Sequence, residues 1–413
     1  MDLRSRLELY KKTIEKAPAI KVKNTAREID ILVPGSVCTN EQGSCYVIEN
    51  VYPSSYRYGG ANLGEALKSD SDTLSALGGT GCEDLSADKL LFLDTETTGL
   101  SGGAGTVAFL VGVGFFEGET FTVRQYFIRD YDEEEAMLKE LHQLFNRYQG
   151  FVTFNGKSFD INLLQSRFIS NRLKPSFRDL PNLDLLYPSR RIWGLKLENC
   201  RLASLEENVL GEYRADDIPG AQIPSVYFKY LDDRDASDIK RVIRHNGLDI
   251  LSMVSLLARL SSLLKDPLSE ADGGFELLGL GRIFEATGRM DTMLECFEAC
   301  TGSDRYTIRS QAVKRLTGVY KKNGSYDLAL EHWKRMESED SGFELFHLVE
   351  MAKYYEHKAK DIEFALVLVN KAIQKCLDAG LQHSKQYDDL KRRRDRLMKK
   401  SCSAMRESNR DTI

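Results

Sequence analysis

The sequence has no obvious hydrophobic run of the length that spans a bilayer. Its most apolar window, Thr106–Phe116, is far shorter than the roughly 20 residues of a membrane helix and contains or adjoins glycines. The N-terminus also lacks the charged segment followed by an apolar segment that marks a signal peptide. These absences predict a cytoplasmic protein with no membrane partner.

Paired cysteines are lacking as well. Cys38 and Cys45 are the nearest to a pair in the first half, and no second pair follows them at zinc-site spacing. Cys296 and Cys300 lie one helical turn apart in an amphipathic pattern, which is typical of core residues. The scattered thiols predict a reduced compartment.

The chain has no large excess of positive or negative residues, since its formal net charge is only -5. This balance neither indicates nor excludes a nucleic-acid partner. A nuclease needs acids at its centre and bases only along its groove, so overall charge is a poor test of that function.

The length of 413 residues exceeds one ordinary hydrophobic core and predicts two or three domains. A linker-like stretch rich in Ser, Asp and Gly ends near residue 88, and the pattern changes to helix pairs after Pro267. The predicted parts are a segment of unknown role at 1–86, an α/β domain at 87–265, helical repeats at 272–380 and a basic tail at 381–413.

Two acids follow an apolar run near the start of the α/β domain. Leu90–Leu93 has the length and composition of a buried strand, and Asp94 and Glu96 follow it. Alternate residues of a strand share a face, so both carboxylates point the same way and repel each other. A divalent cation removes this repulsion, and oxygen ligands suit Mg²⁺ or Mn²⁺. A bare Asp-x-Glu is nevertheless more often a pair of solvated acids.

The elements after Lys89 predict a mixed α/β sheet with flanking helices. The short connection centred on Gly118 predicts antiparallel pairing of the second and third strands. Strands are predicted at 90–94, 107–116, 120–128, 151–154 and 181–186, with helices at 133–148, 158–172, 202–210 and 237–264.

Asp160 is the third candidate acid. The strand ending at Phe154 and the turn Asn155-Gly156 place it in the first turn of a helix, where the helix dipole favours the ionised carboxylate. The alternative is an ordinary acid at a helix start.

Asp249 is the fourth candidate acid, and it lies in an apolar helix beside Ile250 and Leu251. A charge there is costly unless it is paired or bound to a metal. His245 lies one helical turn earlier, where an imidazole can accept the proton of an attacking water. The alternative for His245 is a surface histidine bonded to Asp249 or to solvent.

Three sequence segments together resemble the DEDD 3′→5′ exonucleases of the ribonuclease H-like superfamily, also called DnaQ-like. They are Leu93–Gly99, Asn155–Asp160 and His245–Asp249, and the resemblance spans about Lys89–Leu264. With the helical repeats, the whole chain resembles the YprB-type bacterial proteins.

The resemblance implies hydrolysis of phosphodiester bonds with two Mg²⁺ or Mn²⁺ ions. Asp94, Glu96 and Asp249 would hold the metals, Asp160 would be a ligand directly or through water, and His245 would be the general base. One feature departs from the family. One subgroup has a histidine five residues before the last acid and another has a tyrosine four before it, whereas here His245 has the tyrosine's spacing.

Weaker candidates surround these acids. Thr95, Thr97 and Asn155 could contact the terminal nucleotide. Phe159 could stack on a base, although a core phenylalanine is an equal alternative. Asp184 is a further acid at a predicted strand end and is a supporting candidate.

The region after Pro267 has a regular period. Met293, Ala329 and Ala365 occupy equivalent positions 36 residues apart, which resembles the tetratricopeptide repeat. The alternative is a plain helical bundle.

Two functions from different classes therefore arise from the sequence. The first is a metal-dependent 3′→5′ exonuclease acting on single-stranded DNA or RNA. The second is a catalytically weak nucleic-acid-binding protein whose repeats recruit a protein partner.

Overall fold

A mixed sheet forms the centre of the N-terminal part of the protein. The computed structural model describes residues 27–78, 81–99, 105–338 and 344–408, and the chain divides after Lys265 into two compact units. Residues 1–26 of the predicted N-terminal segment and 409–413 of the predicted tail lie outside the described residues.

Seven strands form this sheet, and two more form a separate hairpin. The sheet strands are β1 Ser36–Asn40, β2 Gly43–Pro53, β5 Leu90–Thr97, β6 Ala108–Glu117, β7 Thr120–Phe127, β8 Gly150–Thr153 and β9 Asn182–Asp184, and the hairpin strands are β3 Arg57–Tyr58 and β4 Ala61–Asn62. The strand order in the sheet is β1-β2-β7-β6-β5-β8-β9. β5 lies between β6 and β8, and it pairs in parallel with β8 and antiparallel with β6.

This architecture confirms the predicted mixed α/β sheet with flanking helices. β6 and β7 pair antiparallel, as predicted, across a connection that begins at Gly118. Gly118 has a φ of 60°, a conformation that glycine adopts without steric cost.

The sheet extends beyond the segment that the sequence predicted as the α/β domain. β1 and β2 precede residue 87, and β2 pairs with β7 along Tyr46–Pro53. The Ser69 and Ser261 hydroxyls also hydrogen-bond to each other, which ties a segment before residue 87 to the last helix of the unit. Part of the N-terminal segment therefore belongs to the domain that carries the acids.

The longest helix of this unit packs against the sheet. The helices are α1 Ile29–Leu32, α2 Ser71–Gly78, α3 Glu134–Phe145, α4 Asp160–Ser170, α5 Leu186–Trp193, α6 Leu202–Leu205, α7 Ile223–Asp233 and α8 Ser237–Lys265. α8 contacts β5, β6 and β7. Gly114 permits this approach, because a Cβ there would lie 2.4 Å from Ile250 Cγ2.

α8 corrects the expectation that no segment has the length and apolarity of a membrane helix. Among the described residues, α8 alone has the length and hydropathy of a membrane span, but 72% of its apolar window is buried inside the protein. Its apolar residues are those of a helix that packs on a sheet.

The second unit consists of helices. They are α9 Pro267–Glu270, α10 Gly274–Thr287, α11 Met290–Thr301, α12 Tyr306–Lys322, α13 Tyr326–Ser338, α14 Phe346–Tyr354, α15 Ile362–Asp378 and α16 Lys385–Ser408. Three helices, α11, α13 and α15, each begin two residues after a residue with a positive φ. These residues are Gly288, Gly324 and Lys360. The predicted 36-residue period therefore coincides with successive helical hairpins.

The predicted basic tail contributes a helix to the core of this unit. Leu390 and Leu397 of α16 are buried. Arg393, Arg396 and Lys400 donate hydrogen bonds to Glu356, at 2.9, 2.8 and 2.8 Å. Three bases of the tail thus neutralise one buried carboxylate.

Glu356 makes the stability of this unit depend on pH. Burial alone would raise its pKa, but the hydrogen bonds from Arg396 and Lys400 outweigh burial and lower the pKa to about 2. The folded pKa lies below the unfolded one, so this stabilisation is present above about pH 4.5 and is lost as the pH falls toward 2.

We expect Glu356→Gln to lower the unfolding free energy by about 2 kcal/mol at neutral pH, because it removes the charge of a buried carboxylate that accepts hydrogen bonds from three cationic side chains. Denaturant unfolding at several pH values measures the effect, which should shrink as the pH approaches 2. The exposed Glu363→Gln is the control. A loss that is independent of pH would contradict the assignment.

Candidate active site

Asp94 and Glu96 lie within β5 itself, since the strand continues to Thr97. They share one face of the sheet. Asp94 is opposite Gly112 of β6, and the pairing register shifts directly after Glu96. The central strand therefore fixes the direction of both carboxylates.

The four predicted acids interact electrostatically. Burial raises the pKa of Asp94 well above its ordinary value, and the charges of Asp249, Glu96 and Asp160 raise it further. Burial also raises the pKa of Glu96, with Asp249, Asp160 and Asp217 adding to the effect. The structure thus brings together acids from β5, α4 and α8.

Each aspartate of this group is anchored through one carboxylate oxygen. An anchored carboxylate presents its second oxygen in a fixed direction, as a metal ligand requires. The donors are Asn246 Nδ2 to Asp94 Oδ2 at 2.7 Å, the Thr95 hydroxyl to Asp160 Oδ1, and Arg214 Nη2 to Asp249 Oδ1 at 2.5 Å.

Asn246 is a site residue that the sequence analysis missed. It is fully buried, donates to Asp94 and accepts a 2.8 Å hydrogen bond from Gln125 Nε2. Gly112 leaves the space, because a Cβ there would lie 2.1 Å from Asn246 Oδ1. The sequence signal for Asn246 was its position between His245 and Asp249, inside the third segment that resembles the exonucleases.

We expect Gly112→Ala to destabilise the protein by about 1–3 kcal/mol, because the added methyl group displaces Asn246 in a packed core. Denaturant unfolding measures the loss. Gly318→Ala is the control, since Gly318 lies inside α12 with open space at its Cβ and should be neutral or stabilising. A Gly112→Ala protein as stable as the wild type would show that Asn246 is free to move.

Asp160 lies in the first turn of a helix, as predicted, although α4 begins at Asp160 itself rather than at residue 158. Asp184 fixes the loop before it. Asp184 is buried and accepts backbone hydrogen bonds from Asn155 at 2.7 Å and Lys157 at 3.1 Å. Asn155 has a φ of 65°, a conformation in which asparagine is favoured over most residues. Asp184 therefore orders the turn that delivers Asp160.

The four predicted nucleotide contacts differ in accessibility. Thr95 uses its hydroxyl to hold Asp160, and Thr97 is buried and donates to the Gly99 carbonyl at 2.8 Å. Asn155 is exposed and Phe159 is half-buried. The loop before Asp160 thus offers the accessible groups of this set.

His245 faces the acids through Nε2. This atom lies 3.6 Å from Asp249 Oδ2 and 3.9 Å from Glu96 Oε1. One ligand atom from each of the three residues lies within 4.8 Å of the other two, a spacing that fits a shared divalent cation. The three side chains are only 12–17% exposed, so they are largely shielded from water but still reachable from solvent.

Two further missed residues come from the irregular segment 211–219. Arg214 pairs with Asp249 and with the buried Glu206. Burial alone would lower the pKa of Arg214, but the charges of Asp249 and Glu206 outweigh it and raise the pKa. Asp217 lies 2.8 Å from His245 Nδ1. No periodicity marks this segment in the sequence.

Two comparisons relate the chain to known proteins. Residues 91–261 match the family model of the RNase_H superfamily, and this range contains all the acids of the cluster. The chain is also 29% identical over 374 residues to the uncharacterized protein YprB of Bacillus subtilis (strain 168), and the match covers 88% of each chain. The first unit therefore has a ribonuclease H-like fold, and the similarity to YprB extends into the helical unit.

Proposed function

We propose that this protein is a metal-dependent nuclease that removes nucleotides from the 3′ end of single-stranded nucleic acid. The observation that carries the proposal is the convergence of Asp94, Glu96, Asp160 and Asp249 beside His245 in a ribonuclease H-like domain. A group of like charges is costly to bury unless it binds cations.

The acids are assigned to two Mg²⁺ or Mn²⁺ ions. Asp94, Glu96 and Asp249 would hold the ions, and Asp160 would be a ligand directly or through water. When bound, such ions neutralise phosphate charge and lower the pKa of water. Without cations, four carboxylates would repel a phosphodiester.

His245 is assigned as the general base. Its Nε2 is the imidazole nitrogen nearest Asp249 and Glu96, and it takes the proton of the attacking water there. A positioned base of this kind contributes about 10²–10⁴ in rate.

Two groups near the acids would bind the strand. Asn155 and Phe159 lie in the loop before Asp160, where an amide and a half-buried ring suit a terminal sugar and base. The polarity of digestion follows from the resemblance to 3′→5′ exonucleases.

A second candidate is a nucleic-acid-binding protein with little turnover, whose tetratricopeptide-like repeats recruit a protein partner in the cytoplasm. Two observations favour it. Arg214 already neutralises Asp249, and His245 has the spacing of the tyrosine subgroup. The helical unit is a separate compact unit, as a recruiting module would be.

A degradation assay separates the two functions. Single strands of DNA and of RNA, labelled at the 5′ end, are incubated with the full chain and Mn²⁺ or a chelator. The exonuclease predicts progressively shortened labelled products with Mn²⁺ and none with chelator, and a 3′ label should be released as mononucleotide. Strands that are bound by the protein but remain intact would support the nucleic-acid-binding protein instead.

A further inference from the structure

The two ring nitrogens of His245 face different surroundings. Nε2 faces Glu96 and Asp249, whereas Nδ1 lies 2.8 Å from Asp217 Oδ1 and 3.0 Å from Asp217 Oδ2. The Nδ1 contacts have hydrogen-bond length, and the Nε2 contacts are too long for hydrogen bonds.

The Asp217 carboxylate selects one form of the ring. A neutral imidazole carries a proton on one nitrogen and a lone pair on the other. A carboxylate only accepts, so Nδ1 carries the proton and the lone pair of Nε2 faces the acids. Arg214 Nη1 lies 3.4 Å from the same Nδ1, but this longer contact competes poorly with the charged acceptor.

Asp217 is itself held in place. Its Oδ1 accepts the backbone N–H of Ile218 at 2.9 Å, and its Oδ2 lies 3.5 Å from Arg214 Nη1. Burial alone would raise the pKa of Asp217, but the hydrogen bond and charge of His245, followed by the charge of Arg214 and the Ile218 N–H, outweigh burial and lower this pKa. Arg214 also binds Asp249, so one guanidinium links both carboxylates.

We propose that Asp217 is a positioning residue that fixes the tautomer and orientation of His245, so that the Nε2 lone pair meets the attacking water. The proposal rests on the proposed nuclease function. An acid bonded to a histidine in this way also stabilises the imidazolium that forms after proton transfer.

The test uses the full chain and two variants. Asp217→Ala removes the acceptor at Nδ1, and Asp216→Asn is the matched control, because Asp216 is the adjacent, exposed acid and asparagine tolerates its φ of 57°. Nitrogen-15 spectra of histidine-labelled protein in chelator report the tautomer, with the His245 signals identified through their loss in His245→Gln. Strand degradation with Mn²⁺ reports kcat and KM.

We expect the wild type and Asp216→Asn to carry the proton on Nδ1, and Asp217→Ala to shift it to Nε2. For Asp217→Ala, kcat should fall by about 10²-fold while KM stays within a few-fold, because Asp217 orients the base rather than the strand. An unchanged tautomer, or an unchanged kcat in an active protein, would overturn the proposal. If the wild type degrades no strand, the nuclease function fails while the spectra still decide what Asp217 does to His245.

Discussion

Replacing Asp94 by asparagine is expected to lower strand degradation by at least about 10³-fold, because several kcal/mol of metal-dependent stabilisation are lost. Asparagine keeps the size of the side chain and an oxygen that Asn246 can hold. The fold should therefore survive, while the charge that binds the cations is gone. Initial rates with saturating Mn²⁺ measure the loss.

In the metal-free protein, the same substitution should leave the stability of the fold unchanged or raise it. The folded pKa of Asp94 lies above its ordinary value, so ionisation of Asp94 opposes folding at neutral pH. In chelator, Asp94→Asn should melt at or above the wild-type temperature, and Mn²⁺ should raise its Tm less than it raises that of the wild type.

Asp88→Asn is the control for both measurements, since Asp88 is a half-exposed acid just before the same strand. It should match the wild type in rate and in the Tm shift with Mn²⁺. An Asp94→Asn protein that keeps wild-type activity would remove Asp94 from the metal centre.

Replacing His245 by alanine is expected to lower turnover by about 10²–10⁴-fold, the usual contribution of a general base. The four acids remain, so the rise in Tm with Mn²⁺ should remain nearly intact. His245→Tyr should retain more activity than His245→Ala, because tyrosine occupies this spacing in one subgroup of the resembling exonucleases.

Turnover and the Tm shift together define the role of His245. A lost Tm shift in His245→Ala would show that Nε2 is a metal ligand, as its closeness to Glu96 and Asp249 permits. A His245→Ala protein with wild-type turnover across neutral pH would show that the imidazole takes no part.

The sequence predicted those parts of the fold and the site that depend on local patterns. β5 was predictable because four apolar residues precede two acids at strand spacing, and α8 because its apolar residues recur with helical period. The convergence of the acids was expected from the resemblance, since Asp94 and Asp249 are far apart along the chain.

The rest depends on tertiary contacts that no local pattern encodes. β1 has mostly exposed and half-buried residues, so its sequence carried little strand signal, and its place is set by pairing with β2 and by the hydrogen bonds of Asn40 to α3. Arg214 and Asp217 lie in an irregular segment, and only the fold brings them to α8. Asn246 was hidden because an asparagine inside a helix is usually solvated.

The central claim is that cations bound to these acids drive release of the 3′-terminal nucleotide. Its most direct test is the initial rate of this release from a 3′-labelled single strand, measured while Mn²⁺ is titrated into chelator-treated protein. The account predicts no release without Mn²⁺ and a rate that rises to saturation in the wild type but not in Asp94→Asn. Release that persists in chelator, or no release at any Mn²⁺ concentration, would contradict it.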